Sequence, residues 1–281
     1  MATLIQYLQD VLLTKDPTLP NEIKRILLKE ALQSIVLDYL YNHSHYRALH
    51  FYGGSCLRVV FGLNRMSEDL DLDNQHKVDL GNLNADLTGY FYQRLDFREM
   101  TLKEQTSRSG ILRLTLKFPI LQGMGLSPLS EELLHLKLEI SHHPQIVKID
   151  HTPVFYYGRS FVPAHFSIET MMAAKMLACL ERSFQIGQTS TTIKGRDYYD
   201  LLWLMQKQIW PLEQKLAQDG KQHYTTKSAM RAIQERVDQL RPRDLAADLF
   251  PLFEQRTFIE SWIESFHTNF NHFVEPYLKK N

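Results

Sequence analysis

The residues whose types could do chemistry are concentrated between positions 51 and 73, which read FYGGSCLRVVFGLNRMSEDLDLD. Gly53-Gly54-Ser55 follows a short β-prone run and opens a helix-like segment. Backbone N–H groups at a helix start attract anions, and glycine lets a phosphate approach because it has no β-carbon. The turn therefore predicts a phosphate-binding site, although an ordinary turn with a helix cap has the same composition.

Two carboxylates follow on an alternating stretch. Asp69 and Asp71 are two positions apart, so on a strand both side chains project from the same face. Oxygen ligands of this kind suit Mg²⁺ or Mn²⁺. Glu139, between the apolar residues Leu138 and Ile140, is the best third ligand. The alternatives are a solvated edge strand for the aspartates and an ion pair with Lys137 for Glu139.

Metal ions beside a phosphate-binding turn are the arrangement that nucleotidyl or phosphoryl transfer requires. Such a reaction also needs cations that offset the charge of a triphosphate. Arg58 and Arg65 lie within the same stretch, and Lys175 lies on a later helix-like segment. A lysine on a helix surface is the alternative interpretation of Lys175.

The pattern GG-S-x-L-R, followed by R-x-S-x-D-x-D, resembles the nucleotidyltransferases of the AbiEii/AbiGii toxin family, within the DNA polymerase β-like superfamily. Three later segments agree with it. These are Lys137-Leu138-Glu139, a K-x-x-x-x-x-x-R helix from Lys175 to Arg182, and the R-D-x-x-D-L element at 196–201. The similarity runs from about residue 48 to residue 205.

The resemblance implies a role for each matching residue. Nucleotide binding would involve Gly54, Ser55, Arg58, Arg65, Ser67 and Lys175, with Lys175 on the triphosphate. The metal ligands would be Asp69, Asp71 and Glu139. Asp197 would support the acceptor side or position Lys175, although Asp200 could serve instead. The catalytic set is therefore expected to be Asp69, Asp71, Lys175 and Asp197.

The same resemblance implies an activity: magnesium-dependent transfer of NMP from an NTP to a hydroxyl acceptor, favouring an RNA end such as that of tRNA. It also implies the toxin of a type IV toxin–antitoxin or phage-defence system, with a cognate antitoxin as partner. Two alternatives keep the motifs but change the outcome. The acceptor could be a protein or a small molecule, or the chain could be a non-catalytic module that binds a partner.

Apolar periodicity predicts the elements that must position these residues. Helical spacing runs over 3–13 and 23–39, alternation over 69–73 and 111–118, and helical patterns again from 167 onward. The polar stretch 185–192 is expected to be a loop. We expect an α+β fold: a catalytic domain over 1–163, with N-terminal helices within 3–41 and a mixed β-sheet flanked by helices. A mostly α-helical domain over 164–281 would contribute Lys175 and Asp197 to the cleft.

Composition limits the class of protein. The 281 residues include 32 Lys and Arg and 32 Asp and Glu, a formal net charge of zero that argues against a strongly basic nucleic-acid binder. The charge is segregated, however: residues 66–100 carry eight acids and three bases, and residues 194–243 carry ten bases and six acids. Two cysteines form no disulfide framework, and no long apolar stretch indicates membrane insertion, so a cytoplasmic location is expected.

Overall fold

The computed structural model describes residues 3–108, 110–182, 184–186, 189–191 and 194–279. The chain divides into two compact units. The first comprises residues 1–144 and 149–165, and the second comprises residues 145–148 and 166–281. No helix among these described residues has the length and apolar character needed to cross a lipid bilayer.

The first unit begins with two helices that pack together. Helix α1 (Leu4–Leu13) starts at Thr3, whose hydroxyl accepts a hydrogen bond from the Gln6 amide, an ordinary N-cap. Most residues of helix α2 (Asn21–Asn42) are buried, and the majority of these buried residues are Ile, Leu, Ala or Val. Within this apolar surface lies Glu30, which is completely buried. A charge in that position requires compensating partners.

A seven-stranded mixed sheet forms the centre of the first unit, in the order β3-β4-β5-β2-β1-β9-β6. Its strands are β1 (His50–Tyr52), β2 (Asp69–Asp73), β3 (Thr101–Thr106), β4 (Leu112–Phe118), β5 (Leu134–Ser141), β6 (Ile149–His151) and β9 (Ala164–Phe166). Helices α3 (Gly53–Val59) and α4 (Leu83–Arg94) lie between strands in the chain, and β7 (Val154–Tyr156) and β8 (Arg159–Phe161) form a separate hairpin.

Strand pairing brings distant segments of the chain together. Strand β2 is antiparallel to β1, with Tyr52 opposite Asp71, and parallel to β5, with Asp71 opposite Glu139. Strand β4 then pairs antiparallel with β5 and places Arg113 opposite Glu139. Because side chains alternate between faces, these partners share one face of the sheet.

The second unit is mainly helical. Its helices are α5 (Ile168–Glu181), α6 (Gly195–Gln206), α7 (Glu213–Asp219), α8 (Thr226–Val237), α9 (Pro242–Leu249) and α10 (Arg256–Lys279). Helix α5 begins where the Ser167 hydroxyl accepts from the Thr170 amide, and α8 begins with a reciprocal capping box between Thr225 and Ser228.

The predicted fold class is confirmed: a mixed sheet flanked by helices precedes a helical part. One expectation was wrong. The described residues of 185–192 are not a loop, because β10 (Phe184–Ile186) and β11 (Thr189–Thr191) pair as an antiparallel hairpin; residues 187, 188 and 192 lie outside the described part of the chain. Its Ser and Thr content had suggested a loop, but β-branched threonine also fits a strand.

Candidate active site

The start of helix α3 is pressed against the carboxylate of Asp71. Gly53 directly follows β1 with a φ of +80°, and a β-carbon there would lie 2.1 Å from Asp71 Oδ2. Only glycine accommodates both the positive φ and this approach. The carboxylate therefore lies at the first residue of the helix, beside the backbone that was predicted to bind phosphate.

Gly54, the next residue, is approached by the side chains of Arg65 and Ser67. A β-carbon on Gly54 would lie 2.7 Å from Arg65 Nη2 and 3.1 Å from Ser67 Oγ. Arg65 is only 2% exposed, and its Nη1 donates to the Met66 carbonyl over 3.0 Å. The guanidinium thus packs on the helix start, with positive charge next to the expected phosphate position.

Ser55 and Ser67 connect the helix start to the carboxylate strand. Ser55 is fully buried, and its hydroxyl hydrogen-bonds the backbone carbonyl of Asp69 and lies 2.9 Å from Ser67 Oγ. Both hydroxyls therefore hold α3 against the first residue of β2.

Arg58 is engaged by a carboxylate that the sequence reasoning missed. Its Nε and Nη2 donate to the two carboxylate oxygens of Glu30 over 3.0 and 3.2 Å, and its Nη1 donates to the Leu63 carbonyl. Burial alone would lower the pKa of Arg58, but Glu30 outweighs burial and raises it. Glu30 also accepts from the Ser67 amide at 3.3 Å. This buried pair positions α3 and the segment before β2.

The carboxylates of β2 have different surroundings. Asp69 and Asp71 are partly exposed, and burial raises the pKa of Asp69, with Lys137 opposing and Glu139 reinforcing the shift. Asp73 is fully buried, accepts a hydrogen bond from the Ser141 hydroxyl and lies 3.6 Å from His50 Nδ1. Asp69 and Asp71 are therefore the pair that remains accessible to a ligand.

Glu139 lies in register with Asp71, but its ion pair is not the one the sequence suggested. Arg113 Nε donates to Glu139 Oε1 over 2.7 Å, across the β4–β5 ladder. Lys137, the partner considered from sequence, lies opposite Asp69 in the β2–β5 ladder. A long basic side chain on β4 could not be assigned to Glu139 without knowing the strand order.

The donor set fits magnesium better than a metal held wholly by protein. Among the described residues, no group of three His, Cys, Asp or Glu side chains is arranged to hold a metal ion. Mg²⁺, however, commonly binds through one or two carboxylates plus substrate phosphates and water. Asp69 and Asp71 beside the start of α3 meet that requirement.

In the second unit, Lys175 on α5 is bound by two carboxylates from α6. Lys175 Nζ lies 3.1 Å from Asp197 Oδ1 and 2.7 Å from Asp200 Oδ2, and Arg182 Nη1 lies 2.6 Å from Asp197 Oδ2. Burial would raise the pKa of Asp197, but Lys175 and Arg182 lower it. Both aspartates that the sequence left as alternatives thus contact Lys175.

The signals for the missed residues differ in strength. Glu30 lies among mostly apolar residues between Ile26 and Leu37, which could have indicated a buried charge. Arg182 was part of a recognised motif, and its partner Asp197 became apparent only from the packing of α5 on α6.

The fold now defines a class. The crystal structure of a protein from H. pylori, described as a candidate nucleotidyltransferase, superposes with a TM-score of 0.53 at 20% identity, covering 89% of this chain and 95% of that one. The two proteins therefore share a fold over most of both chains.

The family model for the AbiEii nucleotidyltransferase toxin of type IV toxin–antitoxin systems matches residues 35–279. The chain belongs to this family and is a nucleotidyltransferase, and membership implies a nucleotide substrate and a cognate antitoxin. A search of curated proteins found no match.

Proposed function

We propose that this enzyme transfers NMP from an NTP to a hydroxyl at the end of an RNA such as tRNA, using Mg²⁺ or Mn²⁺. The acceptor oxygen forms a bond to the α-phosphorus, the bond to pyrophosphate breaks, and the acceptor proton passes to solvent. The supporting observation is the pair of accessible carboxylates, Asp69 and Asp71, with Asp71 at the first residue of α3.

Each residue has a part in this proposal. Asp69 and Asp71 would hold the metal together with substrate phosphates and water. Glu139, in register with Asp71 on the neighbouring strand, would become a third ligand only on leaving its ion pair with Arg113. When bound, the metal lowers the pKa of the attacking hydroxyl and stabilises charge in the transition state. The backbone of Gly53 and Gly54 would bind phosphate, while Ser55 and Ser67 keep α3 in position.

The cationic residues divide between two tasks. Arg65 on Gly54 would add positive charge at the phosphates, whereas Arg58 maintains the helix position through Glu30. For Lys175 we propose triphosphate contact, with Asp197 and Asp200 orienting its ammonium group. NTPs and tRNA are cytoplasmic, so the proposal includes a cytoplasmic site of action.

The direct test incubates the protein with each of the four labelled NTPs, Mg²⁺ and total tRNA. We expect label in RNA from at least one NTP and none with Asp71→Asn. Asp10→Asn, an exposed carboxylate on α1, makes the same chemical change away from β2 and should leave transfer intact. Label in protein, or in a small molecule found by mass spectrometry, would replace RNA as the acceptor; no label anywhere would refute the proposal.

A further inference from the structure

A cavity of about 670 Å³ lies in the first unit, at the end of the sheet where β1 begins. Its polar lining includes Asn42, Arg47, His50, His76 and His151, and its apolar lining includes Val162 and Ala164. A volume of this size is within the range of ligand-binding cavities. Among the described residues, none of those that line the cavity is acidic.

One wall of this cavity, His50, is on the same face of the sheet as the carboxylate pair. His50 lies opposite Asp73 across the β1–β2 ladder and is 3.6 Å from it. Asp71 is two residues from Asp73, so it is about 7 Å away along the strand on the same face. The start of α3 follows the other end of β1, at Tyr52. The cavity and the expected phosphate position therefore lie at opposite ends of β1.

The side chains in the cavity suit an unstacked nucleotide. The rings of His50 and His76 meet edge to face with centroids 4.8 Å apart, and His76, His151 and Arg47 are exposed. Unpaired RNA bases stack on aromatic rings, histidine included, and on arginine, while arginine also binds phosphate. A single guanidinium with three imidazoles can offer both kinds of contact.

The position of the cavity favours binding of the acceptor rather than of the NTP. In phosphoryl transfer, the attacking and leaving oxygens lie roughly in line on opposite sides of phosphorus. If the leaving pyrophosphate lies at the α3 start, the acceptor must arrive from the other side of the carboxylates. The cavity lies past Asp73, at the end of β1 opposite the α3 start.

We propose that this cavity binds an unstacked nucleotide of the RNA acceptor strand, close to the hydroxyl that attacks; the inference rests on the proposed function. Arg47 contacts its phosphate, and the imidazoles of His76 and His151 contact its base. His50 forms part of the cavity wall, and its Nδ1 lies 3.6 Å from Asp73, on the strand that also carries Asp71.

The experiment compares wild type with Arg47→Ala and with the double variant His76→Ala/His151→Ala. Arg98→Ala is the matched control: it removes an equally exposed arginine, but next to β3 at the opposite edge of the sheet. Because one variant loses a phosphate contact and the other loses base stacking, we expect the KM for total tRNA to rise about tenfold in either variant. The KM for NTP should stay unchanged, as should every parameter of Arg98→Ala.

Direct binding separates this inference from the proposed function. A fluorescein-labelled single-stranded RNA of about eight nucleotides is titrated by anisotropy, without NTP. Weaker binding by Arg47→Ala, with a smaller salt dependence, supports the cavity even if wild type transfers no nucleotide to RNA. A raised KM for NTP instead, unchanged RNA affinity in both variants, or no RNA binding by wild type would overturn the assignment.

Discussion

The carboxylate of Asp71 occupies the space that a side chain on Gly53 would need, since a β-carbon on Gly53 would be 2.1 Å from Asp71 Oδ2. The contact links the two halves of the proposed site: a helix start with backbone N–H groups and a strand that carries the proposed metal ligand. Tyr52, the last residue of β1, lies opposite Asp71, so the strand pairing fixes this approach. The proposed phosphate and metal sites are consequently adjacent.

Gly53→Ala should abolish transfer while leaving the fold largely intact. The methyl group must displace Asp71, and misplacing a reacting group by about 1 Å can cost about 100-fold in rate. The positive φ adds a stability cost of about 1 kcal/mol. Activity measured with labelled NTP, beside urea denaturation, checks both expectations.

Gly110→Ala separates the effect of backbone strain at a positive φ from the effect of displacing Asp71. Gly110 has nearly the same φ, +81°, but a β-carbon there meets nothing within 4 Å. The variant should lose similar stability and keep its activity. Equal activity losses in the two alanine variants would show that backbone strain, rather than displacement of Asp71, is responsible.

Asp71→Asn should remove the stabilisation that a metal–nucleotide complex gives the protein. A ligand present at 100 times its Kd stabilises the folded state by about 2.7 kcal/mol, which corresponds to a rise in Tm of about 5 °C or more. We expect this rise in wild type with NTP and Mg²⁺, and its loss in Asp71→Asn or with EDTA. Asp10→Asn should retain it; retention in Asp71→Asn as well would exclude Asp71 as a metal ligand.

The buried pair of Glu30 and Arg58 should respond asymmetrically to truncation. Arg58→Ala leaves a fully buried carboxylate without its guanidinium, a loss of about 3–5 kcal/mol. Glu30→Ala leaves Arg58, whose side chain is 22% exposed and can turn to water, so we expect a cost of about 1–3 kcal/mol. Urea denaturation of both variants measures the difference, and a larger loss in Glu30→Ala would contradict this account.

The spacing of apolar residues predicted many of the helices and strands, because that spacing depends only on residues close together in the chain. The Asp-Leu alternation at 69–73 has the predicted bounds, and the alternation predicted over 111–118 forms β4, Leu112–Phe118. The environment of the site depended on pairings between remote segments. Arg113 could be matched to Glu139 only once β4 was known to neighbour β5, and Arg58 to Glu30 only once α3 was packed near α2. Sequence spacing carries no information about either neighbour.

Lys175→Met should destabilise the protein more at neutral pH than in acid. Lys175 lowers the pKa of Asp197, so ionised Asp197 stabilises the fold above its ordinary pKa, about 3.8, and this contribution is lost as the pH falls through the folded-state value. Removing the ammonium from two buried carboxylates should cost about 3–5 kcal/mol at pH 7. The difference in the free energy of unfolding between Lys175→Met and wild type should become smaller below about pH 4.

Two further variants show whether the stability loss in Lys175→Met depends on the position and the charge of Lys175. Lys279→Met removes an exposed lysine, 75% accessible and paired with Glu275, so its cost should be below about 1 kcal/mol at either pH. Lys175→Arg keeps the charge beside Asp197 and should recover most of the stability. If Lys175→Arg is stable yet fails to transfer nucleotide, the compact ammonium has a role beyond the ion pair, as triphosphate contact requires. If Lys175→Met remains stable and fully active, Lys175 has neither role.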